Sequence, residues 1–533
     1  MPSADRPDRM KVPVSSSEPD VVTVFKDVVT AMSVANSGNR LWWYTWLASR
    51  DRFNAALWKR LCVLSSSVEK DKERQPKSPV FTRSFADRIK TTRRLIAEVV
   101  WFAKWRHAER KVAYLEKVDV ILVTHLETNS FKDGCFRDIY FGKLCRYLND
   151  KGERVFVCGM LQGDPAKVLS GRDEAEIDFD GFISSFGAFI KVLDFFKALI
   201  ESLFNQIKII DFELPFGGNA KLLLADDIRN AIPDMFHGRM IELASARMLK
   251  HFPSARVIHI YENNPWEHAV DRQAFLHKRQ VIGFLHCAVL PSHLKNYISE
   301  VELNLRPSPD RTVCTGAGAR DIFLALGRHD PEKVMAGCDL RSTLPQDRSP
   351  RREHRKSINN VLVVLEAIPS MVGLLKFMDT VAAEFSNISF YVRAHPALPL
   401  SELAAKAEIK CHPRGCLIES KEQDLIAAME AADVIIYQGT TVAMTAVYLG
   451  IPVIKVENKD PIEDDPLFEI DHLKWRVKDL DEIIEAFTKI SKLDQDIFIQ
   501  ERDQARSYAE NYFAPPTDEI MSVFLKVEQI TSE

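Results

Sequence analysis

Residues Asp433–Val453 read DVIIYQGTTVAMTAVYLGIPV, and this order of residue types leaves few folds open to the chain. Val434 to Ile436 form a short, unbroken apolar run, the pattern of a strand buried on both faces of a parallel sheet. Gln438, Gly439, Thr440 and Thr441 follow, and then Val442, Ala443, Ala446, Val447 and Leu449 recur at helical spacing. Gly450 and Pro452 stop that helix before a second apolar run. Strand, turn, helix and returning strand in so short a space make a βαβ unit, whose parallel sheet must be covered by helices. The turn itself has two readings. Its free N–H groups, two hydroxyls and positive helix end suit an anion such as phosphate, and they equally suit an ordinary helix cap.

A second strand-like run, ISFYVRAHP at Ile388–Pro396, delivers Arg393, His395 and Pro396 to the carboxyl edge of the same sheet. Open α/β sheets bind ligands at that edge. Arg393 suits bidentate donation to phosphate, and His395 suits donation to a phosphate or sugar oxygen, with a charge change near neutral pH. Pro396 fixes the backbone beside them. The expected nucleotide site is therefore Arg393, His395, Pro396, Gln438, Gly439, Thr440 and Thr441.

The same alternation organises most of the chain. At 533 residues it exceeds the usual single-domain size, so two cores are expected. Residues 1–20, rich in Pro, Ser and Asp, read as disordered, and 21–114 as a helical N-terminal segment. Val118–Thr124 opens a first Rossmann-like domain over 115–340, with further strands expected at Arg154–Cys158, Ile207–Ile210, Arg256–Tyr261, Val281–Cys287 and Thr312–Thr315. The basic, proline-marked stretch 341–358 reads as a linker. A second αβ series fills 359–500, and the remainder, 501–533, is expected as a helix crossing back to the first domain.

Composition narrows the class. A hydrophobic share of 46%, a charged share of 27% and a net charge of −4 describe a globular protein without the basic field that nucleic-acid binding requires. Nine cysteines, an odd number with no CxxC pair, point to a reducing cytoplasm. Cys411, His412 and Cys416 lack a second ligand pair at zinc spacing and read as loop and packing residues.

Two amphipathic segments stand out. Phe186–Phe204 is interrupted by Lys191, Asp194, Lys197 and Glu201, so it cannot span a bilayer. After Lys90, Trp101, Phe102 and Trp105 lie among several basic residues, a mixture that suits the surface of an anionic membrane or a domain core.

Strand, HP, a variable αβ stretch, and a Ser/Thr turn with an A-x-x-L-G-x-P-V-I tail are similar to the C-terminal half of GT-B glycosyltransferases of bacterial surface polysaccharides. Polysialyltransferases and capsule Kdo transferases, which use CMP-activated sugars, resemble it most, and teichoic-acid polymerases using CDP-polyols share the pattern. In that family the HP motif contacts the cytidine nucleotide and the hydroxyl turn its phosphate. By position these roles fall on His395 and Pro396 and on Thr440 and Thr441. The chain has Met444 and Thr445 where many relatives carry an acid in the following helix. LWWYTWLASRDRFNAALWKRL, FRDIYFGKLCRYLNDKGERV and IYENNPWEHAVDR further resemble uncharacterised surface-carbohydrate biosynthesis proteins. The resemblance implies two Rossmann-like domains facing across a cleft. It also implies a CMP-linked acidic sugar donor and a glycan or lipid-linked acceptor, with UDP-sugar and CDP-polyol donors as alternatives. A non-catalytic nucleotide-sugar scaffold would have the same shape.

Arg, His and a helix end can neutralise a leaving phosphate, so neither a metal nor a cofactor is expected. The acceptor side is read from strand ends. Glu262 ends the strand before Asn263, Asn264, Trp266 and Glu267, a position suited to taking a proton from an acceptor hydroxyl. His286 ends the next strand, and Asp133 and Asp138 follow the first. Glu262, Asp138, Asp133 and His286 are thus the catalytic candidates, with Trp42, Trp43, Asn263, Trp266 and Glu267 expected around the acceptor.

Overall fold

A computed structural model describes residues 20–70, 85–109, 117–351, 353–368, 371–395, 398–409, 417–420, 424–458 and 462–525. The disorder expected over 1–19 and the readings placed on Pro396, Cys411, His412 and Cys416 lie outside these residues.

Two parallel sheets carry the chain. The first contains β1 (Val120–Leu126), β2 (Val155–Leu161), β3 (Gly181–Ser185), β4 (Arg256–Ile260), β5 (Val281–Leu285), β6 (Arg311–Cys314) and β7 (Val334–Ala336), in the order β3-β2-β1-β4-β5-β6-β7. The second contains β8 (Asn360–Val364), β9 (Ser389–Arg393), β10 (Leu417–Glu419), β11 (Val434–Tyr437), β12 (Val453–Val456) and β13 (Lys474–Val477), in the order β10-β9-β8-β11-β12-β13. Every pairing is parallel, and β1, β2, β4, β5, β11 and β12 are buried along most or all of their length, as their unbroken Val and Ile runs require. The fold is α/β, two Rossmann-like domains, each built on one parallel sheet.

One expected strand is absent. Ile207–Ile210 runs as irregular chain because Asn36, just past the helix Val21–Ala35, holds Lys208 at both its N–H (2.7 Å) and its carbonyl (2.9 Å). The sheet edge is taken instead by β3, whose Gly181 lies against β2 where a Cβ would meet the Val155 carbonyl at 1.9 Å.

The N-terminal helical segment belongs to the first domain's core. Phe25, Trp42, Trp43, Tyr44 and Leu57 share one apolar cluster with β1, β2 and β4. Arg50 and Glu302, both fully buried, pair at 2.6 Å and tie this segment to the loop before β6. Phe102 and Trp105 of the helix Phe85–Ala108 enter the same core, Trp105 donating to Ser185 Oγ at 2.5 Å. Those two rings are therefore withheld from a membrane surface.

The two sheets meet at their C-terminal edges. The Ser292 N–H, in the loop after β5, donates to the Glu463 carbonyl, in the loop after β12, at 3.1 Å. The helix Gln495–Tyr512 packs on Val442–Tyr448 of the second domain and Ala317–Leu326 of the first. Its Tyr512 hydroxyl donates to the Val289 carbonyl at 3.1 Å. The chain then returns to the first domain, where Asp518 and Phe524 carbonyls accept from Tyr147 (3.1 Å) and Arg256 (2.9 Å).

Candidate active site

Strand order reverses beside β1 in the first sheet, between β2 and β4, and beside β8 in the second, between β9 and β11. Crevices at such points are where doubly wound sheets bind ligands. The sequence candidates gather at both.

In the first domain, β4 runs into Tyr261, Glu262, Asn263 and Asn264 before the helix Pro265–Leu276. Asn263 adopts a left-handed conformation with φ +61°, which Asn tolerates better than most residues. The Glu267 carboxylate accepts from the N–H groups of Glu262 (3.0 Å) and Asn264 (3.1 Å), so the first helical turn fixes the backbone that presents Glu262. Beside it β5 delivers His286 and Cys287. His286 Nε2 lies 3.2 Å from Glu262 Oε1, and the Cys287 thiol donates to the same oxygen at 3.0 Å. Lys295 Nζ is 3.6 Å from the other carboxylate oxygen. The Glu262 side chain is 29% exposed and that of His286 1%, so the carboxylate is the accessible face of the cluster.

Electrostatics follow from these contacts. Burial works to raise the Glu262 pKa, but the His286 hydrogen bond and the Lys295 charge prevail and hold it well below the usual carboxylate range. Burial, joined by the Glu262 charge, pushes the Cys287 thiol well up. Burial also pushes Glu267 up to about 8, against the charge of His259. The donor atoms of Glu262, His286 and Cys287 lie within 4.8 Å of one another, the one trio of metal-type donors among the described residues. The Lys295 ammonium beside the trio would repel a cation there.

In the second domain, register places Arg393 opposite Val364, and Ile436 opposite Val363. The ends of β9, β8 and β11 therefore form one row, about 10 Å from first to third at ordinary strand spacing. His395, Glu366 and Gly439 each lie two residues further on. His395 is exposed, and Arg393, Gly439, Thr440 and Thr441 are half-buried. Gln438 is buried, and Thr440 Oγ1 accepts from the Val442 N–H at 3.4 Å.

The sequence reading missed the acids beside this turn. A Cβ on Gly439 would meet Glu366 Oε1 at 3.0 Å and the Asp464 carboxyl carbon at 3.2 Å. Burial, and then the Asp464 charge, push Glu366 up to about 7, while Arg52 and Lys455 pull it down. Lys455 Nζ compensates Asp464 at 3.2 Å and Glu463 at 2.6 Å. Arg52 comes from the N-terminal helical segment and is 7% exposed; its charge acts on Glu366 and on His293 of the first domain, so it sits between the two halves. Glu366 ends an apolar strand (NVLVVLE) and was in that sense visible; Arg52 and Asp464 carry no local signal.

Several expected site residues serve the scaffold. Trp42 and Trp43 are buried in the core, Trp42 donating to Ser33 Oγ at 3.2 Å, and cannot touch an acceptor. Trp266 is buried, with ring edges against His125 and His259. Asn263 is buried and donates to the Lys295 carbonyl at 2.6 Å, so Asn263 and Glu267 shape the Glu262 loop from behind. Asp138 is buried, with one oxygen accepting from the N–H groups of Tyr140 (2.8 Å) and Phe141 (2.9 Å), and it caps its loop. Asp133 occupies an exposed left-handed turn at φ +60°. Glu262 and His286 are the catalytic candidates that the fold brings into contact, and the Asp138 carboxylate lies close enough to His286 to feel its charge.

No family model matches the chain, and a search of curated proteins gives no match. Solved structures with a similar chain course include a glycosyltransferase of kitacinnamycin, at 10% identity over 77% of this chain and 100% of that one, with a TM-score of 0.45. The UDP-GlcNAc 2-epimerase of Neisseria meningitidis is similar at 14% identity over 76% and 98%, with a TM-score of 0.42. MurG of Acinetobacter baumannii is similar at 11% identity over 76% and 98%, with a TM-score of 0.41. At these scores the likenesses assign no chemistry, which has to come from this chain's own residues.

Proposed function

We propose that the protein is a glycosyltransferase that moves a sugar from a nucleotide donor, a CMP-linked acidic sugar such as Kdo or a sialic-acid-like nonulosonate, to a glycan or lipid-linked acceptor. The observation that carries this reading is the convergence of two different chemistries on facing sheet edges. A fixed, ionised carboxylate stands on one, and a row of Arg393, His395 and the Gly439–Thr441 turn stands on the other.

In the proposed reaction the donor lies across the β9, β8 and β11 ends, with Arg393 and His395 donating to phosphate and sugar oxygens. The acceptor hydroxyl approaches from the Glu262 side. Its oxygen forms the bond to the anomeric carbon, its proton passes to Glu262, and the nucleotide leaves with the electrons of the broken bond. His286 and Lys295 hold Glu262 ionised and oriented. Glu366, at about 7, is half-protonated near neutrality and suits a hydrogen bond to a sugar hydroxyl next to a phosphate. Interdomain closure would exclude water that hydrolyses the donor.

The deciding experiment is a melting panel. A ligand at a hundred times its Kd stabilises by about 2.7 kcal/mol, a clear shift. CMP or CDP should shift the protein more than UMP, UDP, GDP or ADP. A preference for uridine nucleotides would replace the donor with a UDP-sugar, and a shift without release of nucleotide from any sugar donor would make the protein a binding scaffold.

A further inference from the structure

The helix Val192–Leu203 and the residue after it place Val192, Leu193, Phe196, Ile200, Leu203 and Phe204 in solvent, each between 47% and 77% exposed. Their spacing puts Leu193, Phe196, Ile200 and Leu203 on one stripe about three turns long. Single exposed apolar residues are ordinary, but six large ones on one short helix and its end, four of them in a stripe, are the mark of an interaction surface.

The charges on this helix say what surface it meets. Its two acids face inward and are neutralised there. Asp194 is buried and paired with Arg247, and Glu201 accepts from Arg40 at 2.7 Å and Arg239 at 2.6 Å. Lys191, the N-cap residue, and Lys197 are in contrast exposed. The exposed charge of the helix, Lys197, and that of its N-cap, Lys191, are thus both positive. A face meant for water would scatter both signs, and a face meant for a second copy of itself would set lysine against lysine.

We propose that this helix docks the protein on an anionic bilayer, lying along the surface with Leu193, Phe196, Ile200 and Phe204 in the headgroup boundary and the lysines among the acidic headgroups. An interfacial seat suits its length of roughly 18 Å, too short to cross a hydrocarbon core of about 30 Å. No described helix is long and apolar enough to span a membrane. The inference rests on this surface alone and stands whatever nucleotide the cleft binds.

The full chain would be co-sedimented with vesicles of phosphatidylcholine alone and of phosphatidylcholine containing phosphatidylglycerol. Binding is expected to the anionic vesicles, to weaken with salt, and to be at least about tenfold poorer to the neutral ones. Leu193→Ser/Phe196→Ser/Phe204→Ser and, separately, Lys191→Glu/Lys197→Glu should each lower partitioning by about tenfold or more. Circular dichroism and an unaltered melting temperature verify that both variants fold. Failure of the wild-type chain to bind anionic vesicles would overturn the proposal. So would a folded triple-serine variant that binds them as well as wild type, or one that loses only a concentration-dependent dimer seen by light scattering.

Discussion

At the scale of the residue, Glu262 and its neighbours divide the work. Glu262→Gln keeps the shape and removes the base, so transfer should fall by about 10²–10⁴-fold while nucleotide affinity, set on the other domain, is unchanged. A rate assay beside a binding titration checks both halves. Glu267→Gln should act differently, since that side chain holds the backbone of Glu262 and Asn264. On the donor side, His395→Ala removes a bond to a charged group and should weaken nucleotide binding by about 1.5–3 kcal/mol, with Thr441→Ala losing less. Unchanged nucleotide affinity in a folded His395→Ala protein would place the site elsewhere. Glu366 gives a pH signature. Its folded pKa of about 7 lies above the ordinary 4.5, so the folded state holds the proton more tightly, and the stability this brings is lost as pH rises through 7. Glu366→Gln should therefore gain in melting temperature relative to wild type between pH 5 and pH 8, and a constant difference across that range would contradict the assignment.

At the scale of the element, close backbone approaches fix where the pieces dock. Gly142 has φ +51°, and a Cβ there would lie 2.2 Å from the Leu340 carbonyl, in the segment that leaves β7 for the second domain. Gly142→Ala is expected to cost about 1–3 kcal/mol in chemical denaturation, because neither the conformation nor the backbone neighbour can yield cheaply. The described residues of 341–358 form no helix or strand, yet they are pinned. Arg351 donates to the Ala432 carbonyl at 2.7 Å, and Asp433 accepts from Arg355 at 2.9 Å and from the Asn359 and Asn360 N–H groups. A basic, proline-marked composition suggested a tether, and its arginines turned out to hold the carbonyls and carboxylate at the start of β11.

At the scale of the whole molecule, one connection completes the first domain and another joins the two sheets. The Arg50–Glu302 pair ties the N-terminal helices to the first domain. Arg50→Ala should cost about 3–5 kcal/mol, since it leaves a buried carboxylate without its partner, whereas replacing both residues with apolar ones of similar size should cost far less. A double-mutant cycle by denaturant unfolding measures the difference. The helix Gln495–Tyr512 spans the two domains, with Tyr512 closing onto Val289, so it sets the angle at which the Glu262 cluster faces the nucleotide edge.

The sequence by itself determined the parallel sheets, because strands buried on both faces must be unbroken runs of Val, Ile and Leu, and the runs ending at Ile260, Leu285, Val364 and Tyr437 are of that kind or close to it. It also placed Glu262, His286, Arg393 and the Gly439 turn correctly at carboxyl edges, since every parallel strand ends on the same side. Only the tertiary structure decided which of those ends are neighbours, because strand order is set by long-range pairing that leaves no local trace. The same reason hid Arg52, which reaches the cleft from a segment more than three hundred residues before Glu366 in the chain. It also explains why Trp42, Trp43 and Trp266 read as binding residues: a tryptophan's large apolar ring satisfies a core and a ligand equally, and burial alone tells them apart.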